Sequence, residues 1–281
     1  MTIGDLLKDA AARIAAAGLE DAQREARLLM MEATGLDRAT IFMHAERVID
    51  PAAIVRFREL AARRAQREPM SHILGRREFW SLTFKVTAHT LDPRPDSETL
   101  VQAVLDQVPD RFAPLRLVDF GTGTGCLLLA LLHELPRAEG LGVDASEPAL
   151  VVARENAAAL GLAMRAAFRR SDWDEQVDSA FDILISNPPY IPSGQIDTLQ
   201  PEVAQYEPRA ALDGGTDGLC AYRRLAPAAT RLLIPGGLAA FEIGVDQSDS
   251  VIEIMAGAGL RHIATAKDLA GIPRCLLLRK P

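Results

Sequence analysis

The chain has 281 residues, 48% of them apolar, and a formal net charge of −7 at pH 7. Its length suits one large or two ordinary domains with ample core residues, and its acidic balance argues against a dedicated duplex-DNA binder. No apolar stretch approaches the ~20 residues of a membrane span, and no signal-peptide pattern opens the chain, so we expect a cytoplasmic protein. Its three cysteines lack metal-ligand spacing, and no metal site is expected.

Residues 1–75 show the apolar spacing of amphipathic helices. Gly18 and Gly35 end the first two predicted helices, and Asp50-Pro51 supplies an N-cap and a first-turn proline for a fourth, after a short third one. This region contains no glycine loop and no acid–base constellation. We therefore expect a small all-α bundle that recognises a partner.

The fourth predicted helix is rich in arginine and contains one acid, Glu59. Two explanations remain open: a solvated helix face, or contact with an acidic or RNA-bearing partner. The arginines are Arg56, Arg58, Arg63, Arg64 and Arg67.

Residues 76–92 alternate apolar and polar side chains, which predicts a β-hairpin linker. Pro93 and Pro95 then fix an extended entry into the last domain, residues 93–281. Ser97 is expected to cap the following helix. Arg94 lies either in a solvated linker or in a loop over the site.

A strand, a glycine-rich turn and a helix open the last domain. The apolar run Leu115–Phe120 predicts the strand, and Cys126–Leu132 predicts the helix. Together they form a nucleotide-binding βα unit. The GxGxG spacing disfavours a dinucleotide enzyme, whose turn has GxGxxG. The residues of the turn, our predicted cofactor contacts, are Gly121, Thr122, Gly123, Thr124 and Gly125.

The next two predicted strands end at polar or aromatic residues. Asp144 closes the second strand, where a carboxylate can accept both ribose hydroxyls of an adenosine or can cap the next helix. The short strand Ala166–Arg170 leads to Trp173, which either stacks beside an adenine or packs in the core.

The buried strand predicted at Phe181–Ser186 stops at Asn187-Pro188-Pro189-Tyr190. The Asn187 side-chain oxygen and the Pro188 carbonyl can accept two N–H groups, and Tyr190 can lie against a planar amide. A plain turn is the alternative. Together with the glycine turn and Asp144, the motif favours an S-adenosylmethionine-dependent methyltransferase.

A long polar loop, residues 191–216, follows this motif and is a predicted lid or substrate contact. Three further strands are expected at about 238–243, 261–266 and 274–278.

Six motifs, spread over nearly the whole chain, resemble those of one family. They are Arg76–Trp80, Pro93–Asp96, Asp119–Gly125, Asn187–Tyr190, Asp213–Leu219 and Glu242–Gln247. The family is that of the release factor glutamine methyltransferases, the PrmC/HemK group. Asp92 and Ser97 depart from its pattern, where an apolar residue and a threonine are usual.

This resemblance implies an α/β fold with a seven-stranded, mostly parallel, Rossmann-like sheet, preceded by the helical bundle and the hairpin linker. It implies S-adenosylmethionine as cofactor, S-adenosylhomocysteine as product, and methylation of the glutamine amide in the GGQ motif of bacterial class 1 release factors. Release factors 1 and 2 would be the partners, with no direct DNA or membrane binding.

The resemblance also assigns residues to roles. It places the cofactor on the Gly121–Gly125 turn, Asp144, Trp173 and Asn187. It places the substrate glutamine on Asn187, Pro188, Pro189 and Tyr190, with Asn187, Pro188 and Tyr190 as the catalytic residues.

Two other functions remain open. The Asn-Pro-Pro-Tyr chemistry also suits methylation of a ribosomal-protein glutamine or a DNA adenine. A non-catalytic module that keeps the cofactor fold is the second, disfavoured because both motifs are intact.

Overall fold

The structure, a computed structural model, describes residues 1–281, and their contacts divide the chain into two units. The first unit includes a short stretch that is distant in sequence from the rest of it, and this stretch interrupts the second unit. The first unit comprises Met1–Gly75 and Gln200–Tyr206, and the second comprises Arg76–Leu199 and Glu207–Pro281.

Five helices of the first unit enclose one apolar core, so the predicted bundle is confirmed. Gly35 ends the second helix in a left-handed conformation, whereas the Asp50 side chain makes no capping bond to the fourth. Side chains such as Ile14, Leu29 and Phe57 fill the core. The helices are α1 (Ile3–Ala16), α2 (Ala22–Thr34), α3 (Arg38–Met43), α4 (Pro51–Ala65) and α5 (Met70–Leu74).

Four of the five arginines in and after α4 bind carboxylates of their own unit. Arg64, 5% exposed, donates to both carboxylate oxygens of Glu25, at 2.8 and 3.0 Å. Glu202 accepts from Arg64 at 3.3 Å and from Arg67 at 2.6 Å. Arg56 and Arg58 remain exposed, as a solvated helix face would have them, whereas the buried Arg64 stabilises the fold from within. Contact of these arginines with a partner stays a prediction. The other two pairs are Arg56–Glu32 and Arg63–Glu68.

The second unit begins with the predicted hairpin, β1 (Arg76–Phe79) and β2 (Leu82–Lys85). Further helices and strands follow through the rest of the chain. In order they are α6 (Glu98–Asp106), β3 (Arg116–Phe120), α7 (Cys126–Glu134), β4 (Glu139–Asp144), α8 (Glu147–Ala159), β5 (Ala166–Arg170), β6 (Phe181–Ser186), α9 (Pro201–Ala204, part of the first unit), α10 (Cys220–Leu232), β7 (Leu233–Glu242), α11 (Ser248–Gly257), β8 (Arg261–Lys267) and β9 (Pro273–Arg279).

Seven strands form one sheet in the order β5-β4-β3-β6-β7-β9-β8. The strands from β5 to β7 are parallel, and β9 is antiparallel to both of its neighbours. The predicted seven-stranded, mostly parallel sheet is confirmed. The strand order reverses beside β3, which is where open α/β sheets bind ligands, at the carboxyl ends of the strands.

Alternate residues of each central strand enter different cores, as expected for a sheet covered on both faces. In β3, Leu117 belongs to the core that contains α6 and α7, and Val118 belongs to the core that contains α10 and α11. The helices thereby hold the sheet from both sides and leave the strand ends free to form a site.

The region predicted as one long polar loop contains three short helical turns. They are a 3₁₀ turn at Ser193–Thr198, α9, and a 3₁₀ turn at Arg209–Ala211. The function expected for each of the ranges 1–75, 76–92 and 93–281 stays a prediction. Judged by length and apolarity together, none of the helices qualifies as a membrane span.

Gly142 in the middle of β4 is required by close packing. A Cβ on this residue would lie 2.6 Å from the Phe168 ring and 2.9 Å from the Thr122 hydroxyl oxygen. We expect Gly142→Ala to lower the free energy of unfolding by about 1–3 kcal/mol through overpacking, measured by denaturant titration. Gly257→Ala is the control, because a Cβ there meets no atom within 4 Å. Equal stability of the two variants would contradict this packing.

Candidate active site

The carboxyl ends of β3, β4, β5 and β6 border a cavity of about 340 Å³. This volume lies within the range of small-molecule sites, roughly 300–1,000 Å³. The structure brings six of the predicted site residues together on its wall. They are Gly121, Gly123, Asp144, Trp173, Asn187 and Pro189.

The glycine turn continues the hydrogen-bond ladder between β3 and β4. The backbone N–H groups of Gly121 and Thr122 both donate to the Val143 carbonyl, at 2.8 and 3.0 Å. Gly121 and Gly123 have φ values of +72° and +54°, which glycine adopts without strain. A Cβ on either residue would meet nothing closer than 4.0 Å. Side chains here would occupy the cavity, so the turn leaves room for a ligand.

Asp144 is held at the cavity wall by two backbone groups. Its Oδ2 accepts from the Gly123 N–H at 2.9 Å, and its Oδ1 accepts from the Ser146 N–H at 2.9 Å. Burial raises the pKa of Asp144, and these hydrogen bonds act in the opposite direction. Each oxygen keeps a lone pair that can accept a ligand hydroxyl. Ser146 caps α8 instead, so the capping explanation for Asp144 is wrong.

Thr122, Thr124 and Gly125 are not on the cavity wall. The Thr122 hydroxyl donates to Asp119 Oδ2 at 2.7 Å, and the buried Thr124 accepts from Asn156 Nδ2 through its backbone carbonyl at 2.9 Å. These residues shape the turn from within. Their predicted contact with a cofactor stays a prediction.

Asp119 is the most deeply buried acid beside the glycine turn. Burial raises the pKa of its carboxyl to about 7, against the hydrogen bond from Thr122. Its Oδ1 is buried and accepts no hydrogen bond from the protein, which is rare for a native polar atom.

Trp173 packs against the core and also lies on the cavity wall, and its stacking beside an adenine stays a prediction. Its backbone has a φ of +52°, and its half-buried side chain packs against the core that contains α10 and α11. It also lines the cavity, whose wall contains no other tryptophan or tyrosine. Its ring can therefore contribute an aromatic surface to a ligand.

Asn187 and Pro188 present two oxygens that accept no hydrogen bond from the protein: Asn187 Oδ1 and the Pro188 carbonyl oxygen. Asn187 Nδ2 donates to Ser97 Oγ at 3.2 Å. Asn187 lines the cavity, whereas Pro188 is buried and does not.

Ser97 and Tyr190, two residues with predicted roles, both donate a hydrogen bond to Glu242. Ser97 precedes α6 but makes no capping bond, so that prediction is wrong; its hydroxyl donates to Glu242 instead. Tyr190 is not on the cavity wall, and its hydroxyl donates to Glu242 at 3.4 Å. Its predicted contact with a substrate amide stays a prediction.

Two carboxylates near the site were given no role from the sequence. Glu242 opens the Glu242–Gln247 motif, but no local pattern shows that its side chain binds Ser97 and Tyr190. Glu207 accepts from Arg94 with both oxygens, at 2.8 and 2.7 Å, and burial raises its pKa to about 7. Arg94 is therefore not a solvated linker residue. Leu91 and Pro208, close to this pair in sequence, line the cavity.

The mostly parallel sheet, the GxGxG turn and the acid that ends β4 define a class, the S-adenosylmethionine-dependent methyltransferases with a Rossmann-like fold. The cradle that a Cβ would fill and the two available Asp144 lone pairs fit an adenosine-containing cofactor.

Comparison with known proteins narrows the class to one family. Residues 5–75 match the PrmC N-terminal domain, and residues 93–206 match the methyltransferase small domain. The release factor glutamine methyltransferase of Caulobacter vibrioides is 47% identical, covering 94% of this chain and 92% of that protein. That of Rhodospirillum rubrum is 45% identical, covering 100% and 86%. The chain belongs to the release factor glutamine methyltransferase family.

A solved structure supports the fold alone. The methyltransferase from Pyrococcus furiosus aligns with a TM-score of 0.53 at 16% identity, over 71% of this chain and 89% of that one.

Asp144→Ala should weaken cofactor binding, because a charged acceptor of two hydroxyls is lost. We expect the Kd for S-adenosylmethionine to rise roughly 10- to 100-fold, measured by isothermal titration calorimetry. Asp178→Ala is the matched control, since it removes the same charge from an exposed residue off the cavity wall. An unchanged Kd in the Asp144 variant would show that this carboxylate does not hold the cofactor.

Proposed function

We propose that the protein methylates the side-chain amide nitrogen of the glutamine in the GGQ motif of bacterial class 1 release factors. The observation that carries the proposal is the pair of unpartnered acceptors, Asn187 Oδ1 and the Pro188 carbonyl oxygen, in adjacent residues beside a cavity that fits the cofactor. A primary amide has two N–H groups to match these two acceptors. Membership of the family supports this substrate.

A carboxamide nitrogen is a poor nucleophile because its lone pair is delocalised into the carbonyl group. When bound, S-adenosylmethionine would supply an electrophilic methyl group on its sulfonium, with S-adenosylhomocysteine as the leaving group. Asn187 and Pro188 would accept the two amide hydrogens, which orients the lone pair and stabilises the positive charge that develops on nitrogen. The methylated nitrogen would then release one proton, which is acidic at that stage, to water, so no residue need act as a base.

Other residues would hold the two ligands in place. Gly121, Gly123 and Asp144 would bind the cofactor, with the Trp173 ring beside its adenine. Pro189, next to Asn187 on the cavity wall, would provide an apolar surface for the glutamine side chain. Tyr190 would limit the tilt of the amide plane, the role predicted for it from the sequence.

Release factors 1 and 2 are the proposed protein substrates, with the first unit as the recognition unit and the cytoplasm, where these factors act, as the compartment. A DNA adenine substrate is disfavoured by two observations. The net charge is −7, and four arginines of the first unit are bound by carboxylates rather than available for phosphate. No observation favours a ribosomal-protein glutamine over the release factor.

Asn187→Ala tests the proposal directly. Because it removes one of two acceptors from the reacting nitrogen, we expect kcat to fall roughly 100- to 1,000-fold, while the Kd for S-adenosylmethionine changes much less. The measurement is transfer of a labelled methyl group to purified release factor.

Two controls accompany this variant. Gln176→Ala removes an exposed side-chain amide off the cavity wall, in a residue whose hydrogen bonds are made by its backbone, and it should keep the wild-type rate. A release factor whose GGQ glutamine is replaced by alanine should accept no label. Near-normal turnover by Asn187→Ala on the intact factor would overturn the proposed function.

A further inference from the structure

A buried chain of hydrogen bonds leads from Glu242 to Asn187. The Glu242 carboxylate at the end of β7 is 1% exposed, and its Oε2 accepts a hydrogen bond from the Ser97 hydroxyl. Ser97, 2% exposed, in turn accepts from Asn187 Nδ2 at 3.2 Å. Ser97 lies 90 positions before Asn187 and 145 positions before Glu242 in the sequence. The fold therefore brings the three residues together.

The direction of this chain follows from the number of protons available. A serine hydroxyl has one proton, and an ionised carboxylate has none. The Ser97 hydroxyl therefore donates its one hydrogen bond to Glu242. Only the lone pairs of the Ser97 oxygen remain to interact with Asn187. The amide must turn its Nδ2 toward Ser97, because Oδ1 would face another acceptor. Oδ1 is then left to bind a ligand.

We propose that Ser97 and ionised Glu242 are positioning residues that hold the Asn187 amide with Oδ1 directed to the substrate. The inference rests on the proposed function, since it concerns how the same acceptor is oriented. It assigns Ser97 a use that helix capping does not explain, and it gives Glu242 a use although Glu242 does not line the cavity.

Protonation of Glu242 would remove this constraint. A neutral carboxyl can donate to Ser97, which can then donate to Asn187 Oδ1, so that the amide can turn and present Nδ2. Burial raises the pKa of Glu242 to about 7, against the hydrogen bond from Ser97 and the positive charge of Arg274. The active form is the ionised one. We therefore expect full methyl-transfer activity at a pH above this pKa and a loss of activity as the pH falls through it.

The ionisable groups around Glu242 come from five parts of the second unit. Arg274 is itself bound by Asp268, at 3.0 Å, so its charge is shared. The groups are Asp96 before α6, Cys126 at the start of α7, Tyr190 after β6, Tyr222 in α10, and Arg274 and Cys275 in β9.

The first test is a set of serine variants. We expect Ser97→Ala to lower kcat about tenfold or more with little change in the Kd for S-adenosylmethionine, and Ser97→Thr, which keeps the hydroxyl, to restore most of the lost rate. Thr230→Val removes a half-buried hydroxyl in α10, off the cavity wall, and should have no effect on kcat. A wild-type kcat in Ser97→Ala overturns the inference.

The second test is the pH dependence of kcat on release factor between about pH 5 and pH 9. The wild type should lose activity below about pH 7 with a slope of one proton, while Glu242→Gln and Ser97→Ala should not show this step. Combining the two substitutions should cost no more than Ser97→Ala alone, because both act through one chain. An unchanged step in Glu242→Gln assigns the titration to another group, such as Asp119 or Glu207, and overturns the inference.

The Asn187→Ala variant separates the two proposals. If it is inactive while Ser97→Ala is fully active, the positioning inference fails and the proposed function stands. If Asn187→Ala is fully active, the proposed function fails, and the orientation of its amide has no consequence for the reaction.

Discussion

The parallel pairing of β4, β3 and β6 is the constraint on which the site depends. In this register Phe120 pairs with Val143 on one side and with Ser186 on the other. The three strands consequently end at one level, and the residues that follow them meet at one edge. A shift of one residue in either pairing would turn every side chain of a strand to the opposite face of the sheet. The two cores on either side of the sheet penalise that shift, so packing far from the cavity also positions the residues on its wall.

The site contains more buried carboxyl groups than stability alone favours. Burial raises the pKa of Asp119, Glu207 and Glu242 to about 7 in each case. By linkage, each of them makes folding less favourable as the pH rises from about 4 toward 7, because the unfolded chain releases its protons first. Such groups persist where they do something that an apolar residue cannot. At Glu242 that is to accept the hydrogen bonds of the Ser97 and Tyr190 hydroxyls.

Local patterns in the sequence were sufficient for most of the fold. The apolar run before Asn187 and the glycines after Phe120 each indicate where a strand ends. In the structure, both strands lie within a residue or two of the predicted bounds. The failures concern partners that are distant in sequence. Nothing near Arg64 indicates that Glu25 and Glu202 will bind it, and nothing near Ser97 indicates Glu242. Likewise, GxGxG spacing does not show that the Thr122 side chain is turned inward to Asp119.

The burial of Ser97 and Glu242 is what makes the orientation of Asn187 depend on charge. A water molecule can both donate and accept, so a solvated serine beside an asparagine would tolerate either amide orientation. With exposures of 2% and 1%, Ser97 and Glu242 have little access to water, and the hydroxyl must donate its one hydrogen bond within the protein.

The same low polarity that makes a buried carboxylate unfavourable also strengthens its hydrogen bond to Ser97. A threonine in place of Ser97 would offer the same single proton and the same lone pairs, so it would be equivalent in this respect. Through this network, the charge of Glu242, at the end of an otherwise apolar strand, sets the orientation of the Asn187 amide at the end of the neighbouring strand.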